Sequence, residues 1–257
     1  MLTTPTLSII TITYNNINGL KKTIASVSAL TFNDYEHIIM DGNSNDGTQA
    51  YLKSIDQPTR IWVSEPDKGI YNAMNKGLAI AKGTWVIFMN AGDQFFNANI
   101  LSDIPFSESS SIIYGQCQAE YATGFKRIIK PLPIEQLWKG MSFSHQSVFV
   151  TKKLMGVGFN EKYKYVADFE LLFKHFLAGV NFIALQVPIC IIDAGGVSDQ
   201  KRYKATNEVY QINKELNPKF KQAFYFIPKI IKGYITVKIK LILPAKIINR
   251  LLKNKYQ

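Results

Sequence analysis

The sequence predicts an α/β fold with a mostly parallel central sheet sandwiched by helices. Two patterns point to it: apolar, β-branched runs of strand length alternate with segments of helical spacing, and short turns rich in Gly, Asn and Asp separate them. A third observation is bulk. Of 257 residues, 47% are hydrophobic, which can bury a substantial core. The length suits one large domain, or one domain plus a tail, and does not exclude two.

Leu7 to Thr13, LSIITIT, is the first predicted strand, ended by Tyr14-Asn15-Asn16 and Gly19. Leu20, Ile24, Val27 and Leu30 then recur at helical spacing, which predicts a helix from Gly19 to Leu30. Tyr35 to Met40 is a second strand, and the turn formers of 41–48 can cap a helix starting near Thr48. Arg60 to Ser64 is a third strand, Asn72 to Lys82 a helix, and Thr84 to Asn90 a fourth strand. After Ile100 the alternation weakens. Strands are predicted at 111–121, 125–131, 147–150 and 182–187, with a helix over Ala167 to Ala178. From Pro218 onward the chain is amphipathic, with Pro228 and Pro244 as breaks.

Charge divides the chain unevenly. The formal net charge is +11, yet from Lys219 to Gln257 there are ten Lys and Arg and no Asp or Glu, so the rest is nearly neutral. Basic residues interleaved with Phe, Tyr, Ile and Leu suggest an anionic lipid surface, and a charge confined to one tail, without a nucleic-acid motif, argues against nucleic acid. The expected organisation is a domain over 1–215, with halves near 1–100 and 101–215, followed by a basic amphipathic tail over 216–257. Cys117 and Cys190 lack metal-ligand spacing and read as reduced core thiols. No signal pattern and no run of spanning length are evident, so a cytoplasmic location is expected, peripheral on the membrane face.

Five stretches in order carry a resemblance: TITYNN (11–16), IIMDGNSNDGT (38–48), SEPDKGIYNAMNKG (64–77), FMNAGD (88–93) and VADFELLFKHF (166–176). Together they resemble bacterial family 2 glycosyltransferases over residues 6 to 200. The resemblance implies a GT-A fold and inverting transfer of a hexose or N-acetylhexosamine from a nucleotide-sugar, a UDP-sugar by expectation. The acceptor it implies is a glycan or an undecaprenyl-linked saccharide in surface polysaccharide assembly.

The resemblance also implies roles. Thr13, Tyr14, Asn15 and Asp41 would serve the nucleotide, with Asp41 accepting from the base ring. Asp67 would lie near ribose or sugar, Lys68 would approach phosphate or remain a solvated cation, and Asn72, Asn90 and Ala91 would complete the donor side. The family commonly ends its fourth strand with DSDD, whereas this chain has Asn90-Ala91-Gly92-Asp93. Asp93 is then the metal ligand, for Mg²⁺ or Mn²⁺, since phosphate oxygens and waters can fill the rest of the shell. Asp168 occupies the position of the general base. His145 is either a pocket residue or a structural one. Asp193 opens a glycine-containing loop, DAGGVS (193–198), that allows close backbone approach or a tight turn. The loss of acids at 90 and 92 also leaves open a non-catalytic nucleotide-sugar-binding relative.

Overall fold

A computed structural model describes residues 4–57, 59–121, 123–194 and 202–242, so Gly195 to Ser198 and Pro244 lie outside the described residues. The chain divides into two compact units, residues 1–196 and 197–257. The helix over 202–216 packs against the one that follows it.

In the first unit, β1 (Leu7–Thr13) is buried along its whole length, as its unbroken apolar pattern requires. It pairs in parallel with β2 (Tyr35–Asp41) on one side and β4 (Trp85–Phe88) on the other, and β3 (Arg60–Ser64) extends the sheet beyond β2. Helices α1 (Ile17–Ser28), α2 (Thr48–Ser54) and α3 (Ile70–Ile80) make the crossovers. Helix α1 starts two residues before the predicted Gly19, because the Asn16 side chain caps it by accepting from the Gly19 amide at 3.1 Å. Strand β4 stops two residues short of Asn90, where the chain turns: the Asp93 amide donates to the Asn90 carbonyl at 2.9 Å.

The other half changes the character of the sheet. The described strands follow the order β3-β2-β1-β4-β8-β6-β9-β5, with β7 (Lys126–Ile129) hairpinned onto β6 (Ser111–Glu120). Strand β8 (Val148–Thr151) is antiparallel to both β4 and β6, and β5 (Gln94–Phe95) is antiparallel to β9 (Asn181–Asp193). The sheet is therefore mixed: β3-β2-β1-β4 are parallel and so are β6 and β9, while β8, β7 and β5 run antiparallel to their neighbours. Beyond Ile100 the short β6–β7 connection returns antiparallel, whereas a helix over Ala167–Leu177 lies in the long connection to β9, which joins β6 in parallel.

Strand β9 also runs well past the predicted Val187. Register shifts between Tyr114 and Cys117 of β6 absorb Pro188, which cannot donate to a ladder. Cys117 and Cys190 prove to be register partners across β6 and β9, both as free, buried thiols. Short helix α4 (Lys152–Met155) follows β8, and α5 (Ala167–Leu177) carries the predicted 167–178 segment.

The second unit contains α6 (Arg202–Leu216) and α7 (Phe220–Ile242). Their contact includes a Tyr210–Phe226 ring pair at 5.4 Å and a bond from Gln222 Nε2 to Asn213 Oδ1 at 3.0 Å. Pro228 lies inside α7 and does not end it. A proline removes one helical hydrogen bond and crowds the preceding turn, and this helix continues through that cost with its flank packed on α6.

Candidate active site

The C-terminal ends of the parallel strands form the rim where open α/β sheets bind ligands, and the chemistry-bearing residues gather there. Thr13 is buried and its hydroxyl finds no partner among the described residues. Tyr14 is 66% exposed. Asn15 adopts a left-handed φ of 48°, which turns its amide onto Ser44 Oγ at 2.7 Å and its side-chain oxygen onto the Asn45 amide at 2.9 Å. Asp41 is buried; one oxygen accepts from Ser44 Oγ and the other from Ser64 Oγ, each at 2.5 Å, and the Ser44 amide reaches both. These bonds fill the carboxylate's acceptor sites. Asp41 locks the 41–48 loop, which its sequence position did not disclose.

Beyond β3, Asp67 Oδ1 accepts from the Gly69 amide at 2.8 Å. A Cβ at Gly42 would stand 2.6 Å from Asp67 Oδ2 and 3.2 Å from the Tyr14 ring, so Tyr14, Asp67 and the bare Gly42 backbone enclose one small space. Lys68 is exposed and its amide donates to Asn72 Oδ1 at 3.1 Å. Asn72 turns its amino group to both oxygens of Glu161, at 3.1 Å each. Asn75 joins the same carboxylate at 3.0 Å and also bonds the Phe159 backbone in both directions, at 2.7 and 2.9 Å. Helix α3 therefore holds the 159–161 segment that leads into α5.

The Asn90–Asp93 turn is held from α1. Thr23 Oγ1 lies within hydrogen-bond distance of the Asn90 and Asp93 carbonyls, at 3.0 and 2.7 Å, and accepts from the Gly92 amide at 2.9 Å. Ala91 is fixed by backbone alone: its amide donates to Ile12 and its carbonyl accepts from Asn16 Nδ2, both at 3.0 Å. Asp93 is buried, with Oδ2 accepting from Gln146 Nε2 at 2.8 Å. Burial raises its carboxyl to about 6, an effect that Gln146 and His145 only partly offset. Asp193, at the end of β9, raises it further.

Asp168 stands in the first turn of α5 with three donors around it. Tyr71 Oη donates to Oδ1 at 2.9 Å, the Phe169 amide donates to the same oxygen at 2.9 Å, and His145 Nδ1 lies 3.3 Å from Oδ2. Burial works against its ionisation, but the bonds from His145 and Tyr71 outweigh burial and hold it below the ordinary carboxylate range. Burial likewise works against a charged His145, and Asp168, with a smaller contribution from Asp93, reverses the balance and raises it. The other imidazole nitrogen, Nε2, is 3.1 Å from Asn90 Nδ2. Tyr71, driven well up by burial and by Asp168, stays a phenol and a donor at neutral pH.

The structure thus brings Asn90, Asp93, His145 and Asp168 together on one side of the rim, and Thr13, Tyr14, Asn15, Asp41 and Asp67 on the other. Lys68 and Asn72 lie between the strands and α5, Asn72 facing Glu161. Sequence reading missed Tyr71, Thr23, Gln146 and Glu161. The one available signal was Gln146, the neighbour of His145 in the polar stretch Ser144-His145-Gln146-Ser147 before β8.

Among the described residues no cluster of three His, Cys, Asp or Glu side chains is arranged to hold a metal ion. Asp93 nevertheless suits a hard divalent ion: it is a buried oxygen ligand whose negative charge has no direct cationic partner and is disfavoured by its surroundings. Ligands of this type favour Mg²⁺ or Mn²⁺, with phosphate oxygens completing the shell.

A family model described as Glycosyl transferase family 2 matches residues 8–128. An uncharacterized glycosyltransferase of Mycobacterium tuberculosis is 29% identical over 215 residues, covering 80% of this chain and 81% of that protein. An Escherichia coli enzyme named UDP-Glc:alpha-D-GlcNAc-diphosphoundecaprenol beta-1,3-glucosyltransferase is 30% identical over 108 residues, 42% of this chain and 43% of its own. Among solved structures, residues 1–349 of S. aureus TarS in complex with UDP superpose with a TM-score of 0.64 at 15% identity, covering 90% of this chain and 72% of that one. A Pyrobaculum calidifontis mannosyltransferase solved with GDP-Man and Mn²⁺ gives a TM-score of 0.63 at 15% identity over 83% of this chain and 64% of that one. The motif order, the rim that gathers those motifs and these matches agree: residues 8–128 match glycosyl transferase family 2, and the chain is a glycosyltransferase with a GT-A fold.

Proposed function

We propose that the protein transfers a hexose or N-acetylhexosamine, with inversion, from a UDP-sugar to a lipid-linked glycan. The observation that carries this reading is the chain of contacts Asn90–His145–Asp168–Tyr71, which places an ionised carboxylate beside the turn that bears Asp93. Nucleotide-sugar binding is supported by the neighbours solved with UDP and with GDP-Man. Thr13, Tyr14, Asn15 and Asp67 form the nucleotide pocket, and Asp41 acts by fixing its loop. Lys68, at the start of α3, meets the donor phosphates together with free backbone amides.

Asp168 takes the proton from the acceptor hydroxyl as its oxygen bonds to the anomeric carbon and the bond from that carbon to the phosphate oxygen breaks. Asn90 is a neutral hydrogen-bonding group on the sugar side. Asp93 would hold Mg²⁺ or Mn²⁺, which when bound neutralises charge on the departing diphosphate. Screening UDP-, GDP- and dTDP-sugars for nucleotide release tests the whole reading. Release from UDP-sugars that requires Mn²⁺ or Mg²⁺ and stops with EDTA is expected; release indifferent to EDTA would remove the metal.

The acceptor reading draws on the E. coli relative, whose name places its acceptor on diphosphoundecaprenol. It also draws on α7, which exposes Ile227, Ile231 and Ile235 along one flank together with Lys221, Lys229 and Lys232. Among the described residues no helix is long and apolar enough to cross a membrane. Such a helix suits the interface plane, and each cation near an anionic surface contributes about 1 kcal/mol. The protein should co-sediment with phosphatidylglycerol vesicles at low salt and leave them at high salt. Equal recovery with neutral vesicles would overturn the electrostatic attachment.

A further inference from the structure

The family's usual acid at position 90 is here an asparagine, and the side chain it touches explains why an amide belongs there. His145 lies between Asn90 and Asp168, with Nε2 3.1 Å from one and Nδ1 3.3 Å from the other. Asn90 Oδ1 is buried without a partner among the described residues. Rotating that amide end for end, an assignment fixed by hydrogen bonding, would turn Oδ1 toward Nε2. An imidazolium would then donate from both nitrogens, to Asn90 Oδ1 and to Asp168 Oδ2. An aspartate at 90 would instead place a second carboxylate on the same imidazole and compete with Asp168 for it.

We infer that His145 is a positioning residue, steered by Asn90, that fixes the orientation of Asp168 and couples it to the donor-side turn after β4. The inference rests on Asp168 being the base of the proposed transfer. His145 does not touch the reacting atoms; it acts through the carboxylate it faces. Tyr71 restrains the other oxygen from α3, at 2.9 Å. Asp168 is thereby held from two elements that both lead out of the donor rim: the Asn90–Asp93 turn, through His145, and the helix that follows Asp67-Lys68-Gly69.

The charged and titratable groups around the imidazole are few. Asp168 of α5 faces it directly, Asp93 acts from the turn after β4, and Tyr71 reaches it only through Asp168. Behind it Cys117 of β6 lies against the Ser144 backbone, and Cys190 of β9 lies against Cys117.

The chain has three histidines, so ¹⁵N-imidazole NMR titration of the full-length protein can follow His145, its signal assigned by its loss in His145→Gln. Buried His37 is held down to about 3 by burial and Arg60 and is silent in the neutral range. Asp168→Asn should lower the His145 pKa by about one unit or more, and Asn90→Asp should raise it. His145→Gln, checked for an unchanged melting temperature, should lose roughly tenfold or more in kcat with the UDP-sugar found in the screen. Its acid limb should move to higher pH, while KM for the donor is nearly unchanged. An imidazole that titrates identically in Asp168→Asn and Asn90→Asp would overturn the inference, as would a His145→Gln enzyme with the wild-type pH profile. Full transfer by Asp168→Asn would instead overturn the assignment of the base, leaving the measured imidazole coupling intact.

Discussion

Asp168→Asn is expected to lower sugar transfer by about 10³-fold or more while leaving nucleotide affinity within a small factor of wild type. General-base catalysis contributes about 10² to 10⁴, and the neighbouring carboxylate cannot substitute: Glu170, two residues on, is buried and committed to Lys174 at 2.5 Å and Asn160 at 3.4 Å. The amide keeps the shape and can still accept from Tyr71, so the loss is chemical and not a matter of folding. Single-turnover transfer alongside calorimetric UDP titration separates the two quantities. Near-normal turnover would sink the assignment.

Asp93→Asn should have two opposite effects. Transfer should fall by about 10² or more with loss of its Mn²⁺ response, the scale seen when one group stabilising transition-state charge is removed. The metal-free fold should become more stable at neutral pH. Burial lifts this carboxyl from the ordinary 3.8 to about 6, so the folded state binds the proton more tightly than the unfolded one. Stability is therefore full below about pH 4, declines as pH rises through this window, and is lowest above 6. The gap corresponds to about 3 kcal/mol at pH 7 and above, and the neutral amide escapes that cost while still accepting from Gln146. Thermal melts at pH 4 and pH 8, with EDTA, should show a gain for the variant only at the higher pH. A variant less stable than wild type at pH 8 would contradict the unfavourable burial of the charge. The same residue should release a proton when Mn²⁺ binds below about pH 6, detectable as buffer-dependent binding heat.

Much of this was legible in the sequence, unevenly. The parallel half follows from runs such as LSIITIT and from turns whose residues can do little else, and its strands fall within two residues of expectation at every boundary. Beyond residue 100 the antiparallel returns were less legible, because a short apolar run such as VFVT does not record which neighbour it will face. Strand β9 outran its prediction because Pro188 reads as a stop, whereas irregularities within β9 itself accommodate it. The same bias misplaced Pro228. In the site, motif order was enough to single out Asp93 and Asp168. Their environments were not readable: Tyr71 lies 97 residues from Asp168, and only the fold brings the two within hydrogen-bonding distance. Asp41 shows the converse, a residue easily found whose oxygens are already occupied by serines.

The strand between the two halves is thinly attached. Strand β8 meets β4 through the pairs Trp85–Thr151 and Val86–Val150, and β6 through Ile113–Phe149 and Tyr114–Val148. Changes on either side of that seam still share one core, because Trp85 and Ile87 lie in the same buried cluster as Ile113, Phe149 and Ile189, so their energetic effects should couple. His145, immediately before β8, joins that seam to the site, since its ring meets Asn90 of the turn after β4 on one side and Asp168 of α5 on the other.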